Sequence, residues 1–165
     1  MAKRSMQVTT YTPTATANTA NLVDGTYSGV IQGGSATQRI NIIEVMETGQ
    51  AGASTPTLNV LARDSTVGVT ATGGTHVDSP LDASTAALAA PPVVGNGFTT
   101  KPQRGVSHLL NLAFNAFGGI VRWVAAPGEE ITVITATQPL GEISLSAFTG
   151  GTPGLMGSHI IYEPF

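Results

Sequence analysis

Between Ile120 and Phe148 the chain reads Ile-Val-Arg-Trp-Val-Ala-Ala-Pro-Gly-Glu-Glu-Ile-Thr-Val-Ile-Thr and then, from Gly141, Gly-Glu-Ile-Ser-Leu-Ser-Ala-Phe. Short β-branched and aromatic runs cut by Pro-Gly and Gly-containing breaks spell short strands joined by tight turns. A chain built this way has few choices. Each strand is too short to be stable alone and must bury one face against a second layer.

The same grammar extends over most of the sequence. Asp24-Gly25 is a turn dipeptide that leads into Thr26-Tyr27-Ser28-Gly29-Val30-Ile31-Gln32, and Gly33-Gly34-Ser35 ends that run. Residues 38–47 are rich in β-branched side chains, but the apolar phase shifts between Ile42 and Ile43, which predicts a bulge or a strand covered on both faces. From Thr57 to Arg63 the alternation places Leu58, Val60 and Ala62 on the apolar face and Thr57, Asn59 and Arg63 on the other, with Leu61 out of phase. In the run before Phe148, Ile143, Leu145 and Ala147 are expected to point inward and Ser144 and Ser146 outward; a last strand follows over residues 158–163.

Residues 106–117 fit two periods. Val106, Leu109, Leu110, Ala113, Phe114 and Phe117 make a helical stripe, whereas Leu110, Leu112 and Phe114 set against Asn111 and Asn115 make a strand. The Gly118-Gly119 turn into Ile120 favours a strand pair, a hairpin closed at that turn. Pro127-Gly128 is read as a second turn into residues 130–135. About eight short strands at 8 to 12 residue spacing, without βαβ alternation, predict an all-β fold: an antiparallel two-sheet sandwich, jelly-roll or Greek-key like.

Two segments stand apart. Residues 1–24 are rich in Thr, Ala and Asn and cannot bury enough to fold alone; they are expected to form an extended N-terminal arm, laid on a neighbour or on the chain's own sheet, or else a disordered tail. Residues 25–165 form the expected single β-sandwich domain, and 165 residues suffice to bury one core. Within it, residues 69–100 are a long excursion punctuated by Gly73-Gly74, Pro80, Pro91-Pro92 and Gly95-Asn96-Gly97. Ser79-Pro80 before Leu81 is expected to start a short helix over residues 81–89.

Composition bears on function. Asp, Glu, Lys and Arg make up only 10% of the chain, against about 25% in an ordinary soluble protein. A surface of Thr, Ser, Asn, Gly and Ala offers little charge repulsion between copies and favours association. The seven Lys and Arg residues are scattered, the formal charge is −3 and aromatics are 5%, so no polyanion footprint is present and no nucleic-acid partner is expected. The chain has no Cys, which rules out disulfides and thiolate metal sites. Met-Ala-Lys-Arg-Ser-Met lacks a following apolar run, so it is not read as a secretory signal, and no run approaches the ~18 apolar residues of a membrane helix. Synthesis in the cytoplasm and no membrane partner are the expectations.

The residues that carry chemistry elsewhere do not assemble into a motif. His76, His108 and His159 lie in different parts of the chain, and the best cluster, His76-Val77-Asp78 with Asp82, matches no metal-ligand spacing. Glu129 and Glu130 are adjacent, so on a strand they face apart and cannot flank one bond; an ion pair with Arg122 across the hairpin is the plainer reading. Ser107-His108 lacks a nucleophile elbow, and the glycines of residues 150–157 lack the Lys-Ser/Thr of a phosphate loop. Trp123 is expected to face the core with Val121 and Ala125. No enzyme, metal or cofactor is expected.

In its uncharged Thr/Ala/Gly style, its Met-Ala-Lys-Arg start, the segment Ile-Val-Arg-Trp-Val-Ala-Ala-Pro-Gly-Glu-Glu-Ile at 120–131 and the finish Ile-Ile-Tyr-Glu-Pro-Phe, the chain resembles the small β-sandwich decoration, or cement, proteins of tailed-bacteriophage capsids. The resemblance implies a non-enzymatic virion protein on the capsid surface. Its partners would be the major capsid protein and copies of itself, commonly as a homotrimer. Such a staple works through many modest contacts made by arms and loops, and the candidate partner-binding residues are Lys3, Arg4, Tyr11, Tyr162 and Phe165. Two rival classes share the architecture. A receptor- or glycan-binding module, such as a fibre head, needs an exposed aromatic-and-carboxylate patch, and a jelly-roll coat protein of a small virus commonly carries a basic arm that this chain lacks.

Overall fold

The computed structural model describes residues 4–11, 28–32, 39–66, 69–73, 79–100, 102–134, 141–149 and 154–165. Among these residues there is no helix, and the strands form two antiparallel sheets that pack face to face as a sandwich. In chain order they are β1 (Arg4–Tyr11), β2 (Ser28–Gln32), β3 (Ile40–Gly49), β4 (Pro56–Thr66), β5 (Val69–Gly73), β6 (Ser79–Pro80), β7 (Val93–Thr100), β8 (Gln103–Asn115), β9 (Ile120–Val124), β10 (Ile131–Val133), β11 (Ile143–Thr149) and β12 (Met156–Pro164). One sheet runs β10-β3-β12-β1-β6, with β9 also on β3; the other runs β5-β7-β2-β11-β4-β8.

Among the described pairings, no two consecutive strands are partners. This corrects the hairpin expected at Gly118-Gly119. β8 pairs with β4 in one sheet, β9 pairs with β3 in the other, and the turn between them carries the chain across. The second expected turn is also different. β9 and β10 lie end to end along one edge of β3, Val124 opposite Glu44 and Ile131 opposite Ile42, so Pro127-Gly128 belongs to a loop thrown out of one interrupted edge strand. The bulge read from the Ile42/Ile43 phase shift sits at that point. On the other side of β3, Ile161 faces Glu44 and Tyr162 faces Ile42, which leaves Ile43 as the extra residue. The Ile43 carbonyl accepts the Ala125 N–H at 2.9 Å, so the bulge supplies the bond that fixes where the loop departs.

The core is shared by both sheets. Ile40, Ile42, Val45, Met156, Ile160 and Tyr162 of one meet Ile31, Leu61, Leu112, Ile143, Leu145 and Ala147 of the other. Each fully buried Ile or Leu contributes about 1.5–3 kcal/mol of hydrophobic stabilisation. Ile143, Leu145 and Ala147 point inward as their alternation predicts. β4 does not follow its expected face. Leu61 enters the core together with its register neighbours Leu145 and Leu110, so the core-side set is Thr57, Asn59, Leu61 and Arg63. Leu58 on the opposite face is exposed, but Val60, Ala62, Ser144 and Ser146 there are buried too, so over the middle of the strand the alternation carries no sign of direction.

Residues 81–85 form bends and a turn rather than the start of a helix. The Asp82 carboxylate accepts the Ser84 N–H and hydroxyl at 2.9 and 2.7 Å, and the Asp82 carbonyl accepts the Thr85 N–H at 3.0 Å. These local bonds satisfy the backbone as a turn, and the exposed run has no apolar face to reward a helix. Residues 4–11, within the expected arm, form β1, which lies on the chain's own sheet between β12 and β6. The excursion over residues 69–100 contains β5, β6 and β7.

Candidate interaction surface

At one end of the sandwich the crossing from β8 to β9 is held by Asn115. Its side-chain oxygen accepts the N–H groups of Thr55 and Phe117 at 3.0 and 2.9 Å, and its amide nitrogen donates to the Ser54 hydroxyl at 2.8 Å. Gly118 adopts φ 67°, the left-handed region that glycine enters without penalty. Gly119 has no room for a side chain, since a Cβ there would meet the Asn115 carbonyl oxygen at 2.0 Å. The Gly49, Gln50 and Ala51 N–H groups bond the carbonyls of Gly119, Leu155 and Ala116, which ties three segments together.

This framework presents apolar side chains outward. Phe117, Ile120, Val124 and Leu155 are all exposed, Ile120 to 67% and Phe117 to 59%. On β9 the alternation is strict: Val121 and Trp123 pack against the core, as expected for the tryptophan, while Ile120, Arg122 and Val124 face away. Between Ile120 and Val124, the Arg122 Nε and Nη2 atoms donate to the two Glu44 carboxylate oxygens at 2.8 and 2.7 Å. That bidentate bond raises the Arg122 pKa. The expected pairing of Arg122 with Glu129 and Glu130 is thereby corrected. Arg122 is taken by β3 because the two strands are register partners, and Glu130 instead accepts the Gly128 N–H within its own loop.

The second concentration of chemistry is sealed inside. Asp64 and Glu142 are fully buried, Arg104 is nearly so, and the Asp64 N–H donates to the Glu142 carbonyl at 3.1 Å. Arg104 faces Asp64 across β4 and β8. Burial foremost, and then the neighbouring Glu142 carboxyl, pushes the Asp64 carboxyl up to about 9, against the opposing pull of Ser144 and Arg104. Burial lowers Arg104 and Arg63 as well. A third buried polar contact, the Ser158 hydroxyl on Glu47 at 2.5 Å, lies on the core side of β3 and β12.

The residues singled out from the sequence are not gathered in one place. Arg4 lies opposite Tyr162 on β12, Tyr11 opposite Met156 towards the other end of that strand, and Lys3 lies outside the described residues. Tyr162 is fully buried in the chain's own core, so it anchors the sandwich and offers a partner no surface. Phe165 is 46% exposed, with its N–H on the Arg39 carbonyl at 3.0 Å. His76 and Asp78 fall outside the described residues, Asp82 bonds its own turn, and His108 sits on the surface beside Asn111. Among the described residues, no three His, Asp or Glu side chains converge as a metal ion requires. Sequence reasoning missed Phe117, Ile120 and Val124 as a surface; the phase of Ile120 and Val124 opposite Val121 and Trp123 was the available signal, and Phe117 lies in the turn before that strand. Comparison with known proteins gives no match, whether to a family model, a characterised protein or a solved structure.

Proposed function

We propose that this protein is a non-enzymatic structural subunit that decorates a viral capsid, binding the lattice of the major capsid protein from outside and reinforcing it. The observation that carries the reading is the apolar surface of Phe117, Ile120, Val124 and Leu155, presented by a rigid turn and strand on a chain of which only 10% is charged. Exposed apolar side chains on a firm framework suit a contact made without conformational change, and weak charge lets many copies crowd on one shell. The uncharged β-sandwich style shared with tailed-bacteriophage cement proteins supports the same reading. Trp123 is half-buried against the core and does not itself offer a glycan platform.

The test is co-sedimentation with heads of the cognate virus prepared without this protein. The native chain should saturate them at a fixed ratio to the major capsid protein. The double variant I120E/V124E, altered only at exposed positions, should bind at least about tenfold more weakly, the loss of roughly 1.4 kcal/mol. Heads that take up none of the native protein would remove the capsid reading.

A further inference from the structure

Every edge of a β-sheet is a row of unpaired N–H and C=O groups, and proteins blunt such edges by shortness, bulges or charge. Among the described residues, three of the four sheet edges are short or interrupted, and no strand lies on the outer side of the fourth. β6 has two residues, β5 has five, and the β9–β10 edge is broken by its loop and carries Arg122. The fourth edge, β8, is thirteen residues long. Its register against β4 is irregular up to Leu109, but from Leu110 to Asn115 it runs without a break, opposite Leu61 to Pro56. No Asp, Glu, Lys or Arg occurs from Gly105 to Asn115. Along the regular run every second residue turns its main-chain groups to the open side.

The side chains of this run are arranged symmetrically about Leu112. On the core side, Leu110 and Phe114 are only half-buried and flank the buried Leu112, so the core ends there with apolar surface unfinished. On the other side Asn111 and Ala113 are exposed. We propose that β8 pairs antiparallel with β8 of a second copy of this chain about a two-fold axis at Leu112. Leu110 then meets Phe114 of the other copy twice, Leu112 meets itself, and Asn111 meets Ala113. The two sheets become one, and the two cores join along Leu110, Leu112 and Phe114. The absence of charge is what suits a second copy: self-pairing sets no like charges opposite one another, and nothing on the edge selects a charged partner. The regular run is only about 20 Å long, so the contact is weak in dilute solution and gains from crowding. It stands apart from the capsid reading, because it concerns contacts between copies and needs no lattice.

Sedimentation equilibrium from about 10 μM to about 1 mM tests it. The mass of the native chain should rise with concentration. In N111K/A113K the pairing sets lysine against lysine twice, and association should weaken by at least about 100-fold. Mixing that variant with N111E/A113E should restore it. Association of N111K/A113K equal to native, or no recovery in the mixture, overturns the proposal, as does a native chain of constant mass throughout. A second measurement reads the register even if the charged variants fold poorly. Because the chain has no cysteine, N111C and A113C should form a disulfide with each other when mixed under oxidation and little with themselves. Equal self-linking would reject the Leu112 axis.

Discussion

At the scale of single residues the costliest feature is the pair of carboxyls at Asp64 and Glu142, fully buried beside Arg104. An unfolded aspartate titrates near 3.8, whereas folding pushes Asp64 up to about 9. Between those values the folded chain holds a proton that the unfolded chain releases, so stability falls as pH rises, by up to about 1.4 kcal/mol per pH unit. The contribution is fully present below the unfolded value and is gone once pH passes the folded one. Denaturant midpoints at pH 5, 7 and 9 should therefore decline in that order. D64N keeps the shape of the protonated side chain without its titration and should flatten the decline. A midpoint that climbs with pH, or an unaltered slope in D64N, would show that Asp64 is charged in the folded state. The sequence gives no hint of this cluster, because Asp64, Arg104 and Glu142 are brought together only by the β11-β4-β8 order.

At the scale of elements, what could be read from the chain depended on whether the signal was local. The bulge at Ile43 was legible since a phase shift in side-chain alternation is written in the residues themselves. β2–β4 and β9–β12 were legible for the same reason, as were the inward faces of β9 and β11, whereas β1, β5, β6 and β7 were not read as strands. Which face of β4 meets the core was not, because Val60 and Ala62 on the outer face are as buried as Asn59 and Leu61 on the inner one, and Leu61 is chosen by its neighbours Leu110 and Leu145. The turns were recognised but their destinations were not. A Gly-Gly or Pro-Gly pair reverses or redirects the chain equally well within one sheet or between two. The same limit applied to residues 4–11, whose composition shows no strand of its own but whose backbone pairs with β12 at six positions. With about 0.2–1 kcal/mol for each cross-strand pair, removing residues 1–11 should cost roughly 1–6 kcal/mol and lower the melting temperature. A truncated protein that melts like the native one would mean that β1 is a detachable arm and that β12 is stable without it.

At the scale of the whole molecule, the order of strands imposes a folding problem. β11 lies between β2 and β4, and β12 lies between β3 and β1, so the last two strands are interior members of the two sheets. Neither sheet is continuous until they are in place, and almost every partner is distant along the chain. Loop-closure entropy must be met before those pairings reward it, which places folding in the millisecond-to-second range typical of all-β topologies. The same wiring makes the two sheets rise and fall together, because Leu145 on β11 and Ile160 on β12 enter one cluster with Ile42 and Leu61. Trp123 is the single tryptophan and packs against this cluster from β9, so its fluorescence follows one sheet's attachment to the core, while far-UV circular dichroism follows both sheets. The two signals should give one denaturation curve with a common midpoint and slope. A fluorescence transition that precedes the loss of strand signal would mean that the β9 side of the sandwich opens by itself. The apolar surface of Ile120 and Val124 would then belong to a separable flap and not to the rigid framework on which the capsid-binding proposal depends.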